Sequence, residues 1–508
     1  MADTVREIER KYEAGDDTGA ARFPDLSGAA PVAAVTDRGT QELDAVYYDT
    51  ADRRLLAAGI TLRRRTGGTD AGWHLKLPVA EGVRDEIRAP LSARVPRTLA
   101  ALVRSRTRDS ALTPLVRITS RRRVLHLLDE HGTLLAEASE DRVRAVRLRD
   151  GESSTQWTEY EVELAEGTGP GLFDALEPRL RKAGLRRSKA PSKLSRALGT
   201  EAAAEERRPR KDKGSASAGD HVLDYLRQQV EAVVALDPGA RRGTEDAVHQ
   251  MRVATRRLRG AFRSYRKVLD RRATDPLGEE LKWLAAELGV DRDREVLADR
   301  LRQRLDEVPR ALVRGPARAR LRAWSGGRRT GSRRRLADVL DSKRYLALLD
   351  ALDALLADPP LRPAAARPPR PVLAKAVLGD YGRLATRIDA ALAAGPGPGR
   401  DTALHDARKA AKRARYAAEA ATPALGGAAR RFARQMKSVQ TLLGDHQDSV
   451  MARGALREIV DQAHGAGEPT FTFGLLYGRE EQQAAQDERE LPGLWAEASD
   501  KRWRAGLV

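Results

Sequence analysis

The chain has no cysteine, so disulfides, thiolate nucleophiles and sulfur-ligated metals are excluded, and a reducing, cytoplasmic setting is expected. Aromatic residues make up only 4% of its 508 positions. Few platforms remain for stacking bases, which argues against nucleic acid as a specific partner. No apolar run approaches the ~18 residues needed to cross a membrane, and no apolar segment near residue 1 reads as a secretion signal. What the chain has in quantity is charge. Charged residues are 32% of the total, with 92 basic against 73 acidic, a net +19. A surplus of that size favours an acidic partner: nucleic acid, polyphosphate or a membrane surface.

The charge is unevenly placed. Residues 1–200 carry 34 Lys and Arg against 30 Asp and Glu, whereas 219–508 carry 53 against 39. Between them, 201–218 (EAAAEERRPRKDKGSASA) is charged, then rich in Gly, Ser and Ala, with no hydrophobic period. It reads as a flexible linker between two domains.

The first domain is organised around Glu7-Ile8-Glu9-Arg10-Lys11. Strand side chains alternate faces, so Glu7, Glu9 and Lys11 point one way and Ile8 and Arg10 the other. A solvated strand edge is one reading of five such residues, but the pattern recurs downstream. Thr61, Arg63 and Arg65 share a face, as do His74 and Lys76, and Arg84, Glu86 and Arg88. So do Arg117, Arg121 and Arg123; Glu137 and Asp141; and Glu159, Glu161 and Glu163. Arg64, Arg122, Trp73 and Trp157 are expected on the outside. Acids gather on the first and last strands and bases on the middle ones. Water would not require that sorting; a barrel closed with its charged face inward would. Buried charge must be compensated, so such an interior calls for ligands. Rows of Arg and Lys match linked phosphates, and grouped glutamates match Mg²⁺ or Mn²⁺. Leu172–Ala183 reads as an amphipathic helix lying on the barrel.

The set EIERK, Tyr48-Asp49-Thr50, GITLRRRTGG (59–68), GWHLKLP (72–78), the late ExExE (159–163) and Ser192-Lys193 resembles the CYTH family of triphosphate tunnel metalloenzymes. The resemblance implies an antiparallel barrel whose lumen binds a triphosphate. It implies phosphate contacts from Lys11, Arg63, Arg65, Lys76, Arg88, Arg117, Arg121, Arg123 and Lys193, and metal ligation by Glu7, Glu9, Glu161 and Glu163. The chemistry that fits is metal-assisted hydrolysis, with Lys11 and either Glu159 or Asp141, as the carboxylate that positions water, expected to be catalytic.

From Asp220 on, Ala, Leu and Arg dominate and the pattern is helical. Breaks are expected at Asp237–Gly239, Asp358–Pro371 and Gly395–Gly399. Two stretches repeat. Counting from His249, basic residues fall at Arg252, Arg256, Arg257 and Arg259; counting from His405, they fall at Arg408, Lys412, Arg413 and Arg415, at the same offsets. Leu288-Gly289 and Leu443-Gly444 follow at matching distances, as do Asp293 and Asp448. His249, Arg252, Arg256, Arg259 and Arg263 form one helical stripe. A solvated basic face is the alternative, but the duplicated stripe points to a groove for a polyanion. VHQMR (248–252), LHDARK (404–409, ending at Lys409), KRARY (412–416) and LGDHQD (443–448) resemble the CHAD domain, an all-α module of two similar halves. The resemblance implies polyphosphate binding by these cations, with the two halves at about 219–360 and 372–490.

The expectation is therefore an α+β chain. An antiparallel barrel (1–200) hydrolyses inorganic triphosphate or short polyphosphate with Mg²⁺ or Mn²⁺, and an all-α domain (219–508) binds longer polyphosphate. A non-catalytic polyphosphate-binding or granule-associated protein, or a hydrolase of nucleotide or thiamine triphosphates, are the alternatives, with a homo-oligomer possible.

Overall fold

The computed structural model describes residues 3–15, 23–149, 153–199, 216–289, 292–326 and 329–507. Backbone contacts divide the chain into two compact units, Met1–Lys211 and Asp212–Val508. The division falls in the stretch 201–218 read as a linker, of which 201–215 lie outside the described residues.

The first unit contains strands β1 (Asp3–Ala14), β2 (Ala34–Asp49), β3 (Thr61–Thr66), β4 (Gly72–Ala80), β5 (Val83–Ala89), β6 (Thr113–Leu128), β7 (Leu134–Arg147), β8 (Ser154–Leu164) and β9 (Leu185–Arg187). They hydrogen-bond in the order β5-β4-β3-β2-β6-β7-β8-β1, and β1 pairs back onto β5. Eight antiparallel strands therefore close into a barrel, with β9 added beside the end of β1. Closure leaves the eight no open edge. Among the described residues, four helices accompany them: α1 (Arg54–Ala57), α2 (Arg97–Thr107), α3 (Gly171–Lys182) and α4 (Lys193–Leu198).

The apolar layer lies largely outside the barrel. Trp73, Leu75, Leu77 and Ile87 pack against Leu99, Leu102 and Val103 of α2. Tyr12, Leu125, Leu127 and Val162 pack against Leu172, Phe173, Leu176 and Leu180 of α3, the helix expected there. Each such side chain contributes about 1.5–3 kcal/mol through burial. Because strand faces alternate, covering this face commits the charged one to the interior. At one end the interior turns apolar: Val116, Ile118, Val143 and Ala145 meet Leu194, Ala197 and Leu198 of α4. That helix starts at Ser192, whose hydroxyl accepts the Ser195 amide at 3.1 Å, and the cap sets Lys193 at its first turn.

The second unit is helical: α5 (Ala218–Arg242), α6 (Ala247–Ser264), α7 (Arg271–Glu287), α8 (Arg292–Asp306), α9 (Ala317–Gly326), α10 (Arg329–Leu340), α11 (Lys343–Ala357), α12 (Pro369–Ala393), α13 (Pro398–Leu425), α14 (Gly427–Gly465), α15 (Phe471–Ala498) and α16 (Arg502–Ala505). One large core joins α5, α6, α7 and α11–α14, and a smaller one joins α8 and α9 to α14 and α15. Breaks occur around Asp358–Pro368 and Gly395–Gly397, as expected, but Asp237–Gly239 lie inside α5. Arg241 reaches back across Pro238 to Asp237 at 2.6 Å and donates to the Leu340 carbonyl at 2.7 Å. These bonds hold the turn that proline would otherwise loosen.

Candidate functional site

A cavity of about 330 Å³ lies inside the barrel. Strand alternation delivers its lining: Glu7, Glu9 and Lys11 from β1, Arg63 and Arg65 from β3, Lys76 from β4, Arg84, Glu86 and Arg88 from β5, and Glu161 and Glu163 from β8. Arg122 of β6, Glu137 of β7, Lys193 of α4, Asp70 and Tyr47 also line it. Register fixes who meets whom. Glu9 stands directly opposite Glu163, and Lys11 opposite Glu161. Like charges opposite one another across a ladder repel, so the Glu9–Glu163 pair needs a cation.

The cations form two groups. In the first, Lys193 Nζ lies 2.9 Å from Asp141, 3.2 Å from Glu159 and 2.8 Å from Glu161. Arg122 grips Asp141 with both nitrogens, at 2.8 and 2.7 Å, and reaches Glu161 at 2.8 Å; Lys11 also pairs with Glu161. Burial opposes charge on Glu161, but Lys11, Lys193 and Arg122 outweigh it and hold the carboxyl well below its usual range. In the second group, Lys76 pairs with Glu7 at 2.6 Å and lies 3.7 Å from Glu86, as does Arg63. Arg63 also donates to the Tyr47 hydroxyl at 3.3 Å. Buried His74 lies 2.9 Å from both Glu86 Oε1 and the Asp70 carbonyl.

Glu163 behaves differently. Burial, then Glu7, with Glu9 and Glu161 adding, pushes its carboxyl up to about 7, against a smaller opposing effect of Lys76. A divalent cation among these carboxylates would relieve that repulsion, and an all-oxygen set suits Mg²⁺ or Mn²⁺. The lining holds eight basic residues and seven acidic ones. So nearly balanced a lumen cannot neutralise a triphosphate by itself, and a metal arriving with the phosphates would restore the balance.

Four expectations need correction. Arg117, Arg121 and Arg123 lie on the outside of β6, paired with Asp44, Glu42 and Asp37; their side chains are 55%, 64% and 44% exposed. Arg122, expected outside, lines the cavity. Apolar residues occupy both faces of β6, Val116 and Ile118 inside and Leu125 and Leu127 outside, so its pattern does not say which face is inner. Trp157 shares the inner face with Glu159, to which its indole N–H donates at 3.1 Å, and packs beside the α4 plug. Asp141 and Glu159 do not line the cavity; they lie buried behind Lys193. Sequence reasoning also passed over Arg84 and Tyr47. Arg84 was legible, sharing its face with Glu86 and Arg88.

In the helical unit, α6 and α13 pack together. A Cβ at Gly260 would meet Tyr416 at 3.7 Å, and the Tyr265 hydroxyl donates to the Ala417 carbonyl at 2.7 Å. The two basic stripes meet there. Lys412 is pushed down to about 7 by burial, then by Arg408 and Arg256, with Arg415 adding and Asp448 opposing. A Cβ at Gly289 would meet the Arg252 guanidinium at 2.8 Å, and one at Gly444 that of Arg408 at 3.3 Å. Both arginines thus lie over the glycine of a Leu-Gly pair. His249 and His405 are half-buried, and burial followed by Lys409 lowers His405. Lys409 turns aside to Asp406 with 60% of its side chain exposed. Arg257 pairs with Glu419 at 3.1 Å, and Arg415 with the same carboxylate at 3.4 Å. Arg259, Arg263 and Arg413 line a separate cavity. The Asp293 side chain lies outside the described residues.

The family models for the CYTH domain and the CHAD domain match residues 6–198 and 224–457. An uncharacterized protein of Mycobacterium tuberculosis is 40% identical over 506 residues, spanning 96% of this chain and 94% of the relative. The chain belongs to the CYTH–CHAD family. Among solved structures, PptA from Streptomyces chartreusis is similar at 22% identity and TM-score 0.47, covering 55% of this chain and 99% of that one. The CHAD domain from the plant Ricinus communis is similar at 23% identity and TM-score 0.46, covering 56% and 92%. CYTH proteins are metal-dependent tunnel enzymes, and the charged lumen described above lies within the CYTH match. Among the described residues, no helix is long and apolar enough to cross a membrane.

Proposed function

We propose that the CYTH barrel hydrolyses inorganic triphosphate or short polyphosphate with Mg²⁺ or Mn²⁺, and that the CHAD unit binds longer polyphosphate. The observation that carries this reading is the sorting of the lumen. Arg63, Arg65, Lys76, Arg84 and Arg88 arise from the neighbouring strands β3, β4 and β5, with Glu86 among them, and Glu9, Glu161 and Glu163 from β1 and β8, which continue the sheet beyond β5. The cationic strands suit a chain of phosphoryl oxygens, with guanidinium groups stabilising charge on the group transferred. Glu7, Glu9, Glu161 and Glu163 would hold the metal, which polarises a phosphoryl oxygen. Lys11 and Lys193 add phosphate contacts on the acidic side, where both pair with Glu161. Asp141 and Glu159 act as positioning residues, fixing Lys193, and Asp141 also fixes Arg122. In the CHAD unit, burial and the nearby Arg408 and Arg256 disfavour the charge on Lys412, which a polyanion would restore.

The test measures phosphate release from triphosphate, ATP and long polyphosphate, with and without Mg²⁺, on wild type and Glu9→Ala. Metal-dependent release from triphosphate, abolished in Glu9→Ala, is expected. Turnover unaffected by the substitution would remove the metal assignment. Binding without turnover would make the barrel a holder of phosphate, and faster release from ATP would change the substrate.

A further inference from the structure

The two basic stripes of the CHAD unit share their offsets, yet they end differently. Eight residues after its histidine, each stretch has an arginine: Arg257 and Arg413. Fourteen residues after, one has Arg263 and the other Glu419. The structure turns this difference into two unlike sites. Arg257, from α6, meets Glu419 of α13 at 3.1 Å, and Arg415 lies 3.4 Å from the same carboxylate. That end is neutralised by the chain itself. Arg413, from α13, meets Arg263 of α6 instead, and both line a cavity of about 400 Å³.

Arg259, one turn before Arg263, and Arg383 of α12 line the same cavity, as do Arg266 and Arg271. Arg259 Nε is buried and has no hydrogen-bond partner among the described residues. Asp380, fully buried, lies under the cluster. It forms an ion pair with Arg413 at 2.8 Å, pairs with Arg383 and accepts the Ser264 hydroxyl. These bonds fix the two guanidinium groups rather than cancel them, since Arg259 and Arg263 stay uncompensated by it. Of the acids at the wall, Asp275 is engaged by Arg271 at 2.7 Å, and Glu279 by Lys282 at 3.0 Å, with a weaker attraction to Arg259 and Arg263 that offsets part of their charge. Four arginines from three helices therefore converge on one open-mouthed cavity, Arg259 and Arg413 partly buried in it and Arg263 and Arg383 exposed.

We propose that this cavity is an end-recognition pocket, which takes the terminal phosphate of a polyphosphate chain while the interior phosphates follow the α6–α13 groove. The proposal rests on the reading of the CHAD unit as a polyphosphate binder. A terminal phosphate differs from an internal one by a second ionisable oxygen and a third free oxygen. It offers more charge and more acceptors to forked donors, which is what a cluster of arginines selects. One pocket, not two, follows from Glu419 occupying the position that Arg263 holds in the other stretch.

The full chain is titrated with long polyphosphate bearing free ends and with the same polymer amidated at both ends. Arg263→Glu is the deciding variant, because it copies the Arg257–Glu419 arrangement and should fold by pairing with Arg413. Wild type is expected to bind the free-ended polymer about tenfold more tightly than the amidated one. Arg263→Glu is expected to lose that preference and to bind both at the weaker level. Equal affinity of wild type for the two polymers, or a preference that survives Arg263→Glu, overturns the pocket while leaving polyphosphate binding intact. Failure of wild type to bind either polymer overturns the underlying reading instead. Orthophosphate competing as strongly as the free-ended chain would also overturn the proposal, since the site would then hold a lone ion.

Discussion

Neighbouring arginines on β6 occupy opposite physical worlds. Arg122 is held between Asp141 and Glu161 in the lumen, whereas Arg121 stands 64% exposed beside Glu42. Arg122→Ala leaves two carboxylates short of their cation and is expected to cost about 3–5 kcal/mol. Arg121→Ala is expected to change stability by less than about 0.5 kcal/mol. Denaturant unfolding of the two variants checks the contrast, and equal costs would put Arg122 back on the surface. Glu163 gives a second residue-scale prediction. Its carboxyl, raised to about 7 in the fold, holds its proton between the ordinary carboxylate value and 7, where the unfolded chain has lost it. Without metal, this residue's contribution to stability therefore falls as pH rises across that window and is flat above it. Metal binding must displace the proton, so Mg²⁺ affinity is expected to rise from pH 6 to pH 8. Calorimetry at the two pH values checks this, and Glu163→Gln should flatten the rise.

At the scale of elements, strand alternation and helix periodicity did different amounts of work. Each strand's faces were readable, because apolar and charged residues alternate along β1, β3, β4, β5 and β8. Which face turned inward on β6 depended on α3 and α4, which cover its opposite faces at opposite ends. In the helical unit, the stripes of α6 and α13 were readable as stripes, but the meeting of Arg256 and Lys412 comes from packing of the helices. That meeting has a measurable consequence. Lys412, lowered to about 7, is largely neutral at pH 8 in the free protein, and a bound polyanion would recharge it. Polyphosphate binding at pH 8 is expected to take up close to one proton and to weaken as pH rises. Calorimetry in buffers of different ionisation enthalpy measures the uptake, and Lys412→Met should remove it. No uptake by wild type would mean that the stripes bind no anion at this point.

For the whole molecule, the +19 charge sits mostly in the helical unit, while the barrel lumen is close to neutral. Binding of long polyphosphate releases counterions and should fall steeply with salt, by at least about tenfold between ~50 and ~200 mM. The KM for triphosphate should move less, because charges inside an enclosed lumen are screened less than charges in an open groove. A parallel salt series on binding and turnover checks the difference, and equal slopes would argue that both ligands share one surface. The sequence by itself determined the two-part division, the alternation that makes a charged strand face, the ordered family motifs and the doubled basic stripe. These are local or periodic properties, carried by neighbours in the chain. Only the tertiary structure decided which face of β6 is inner, that Asp141 and Glu159 stand behind Lys193, and that Arg263 and Glu419 make unlike ends of like helices. Those outcomes depend on which residues distant in sequence are brought together, and on how the fold compensates charge once water is excluded.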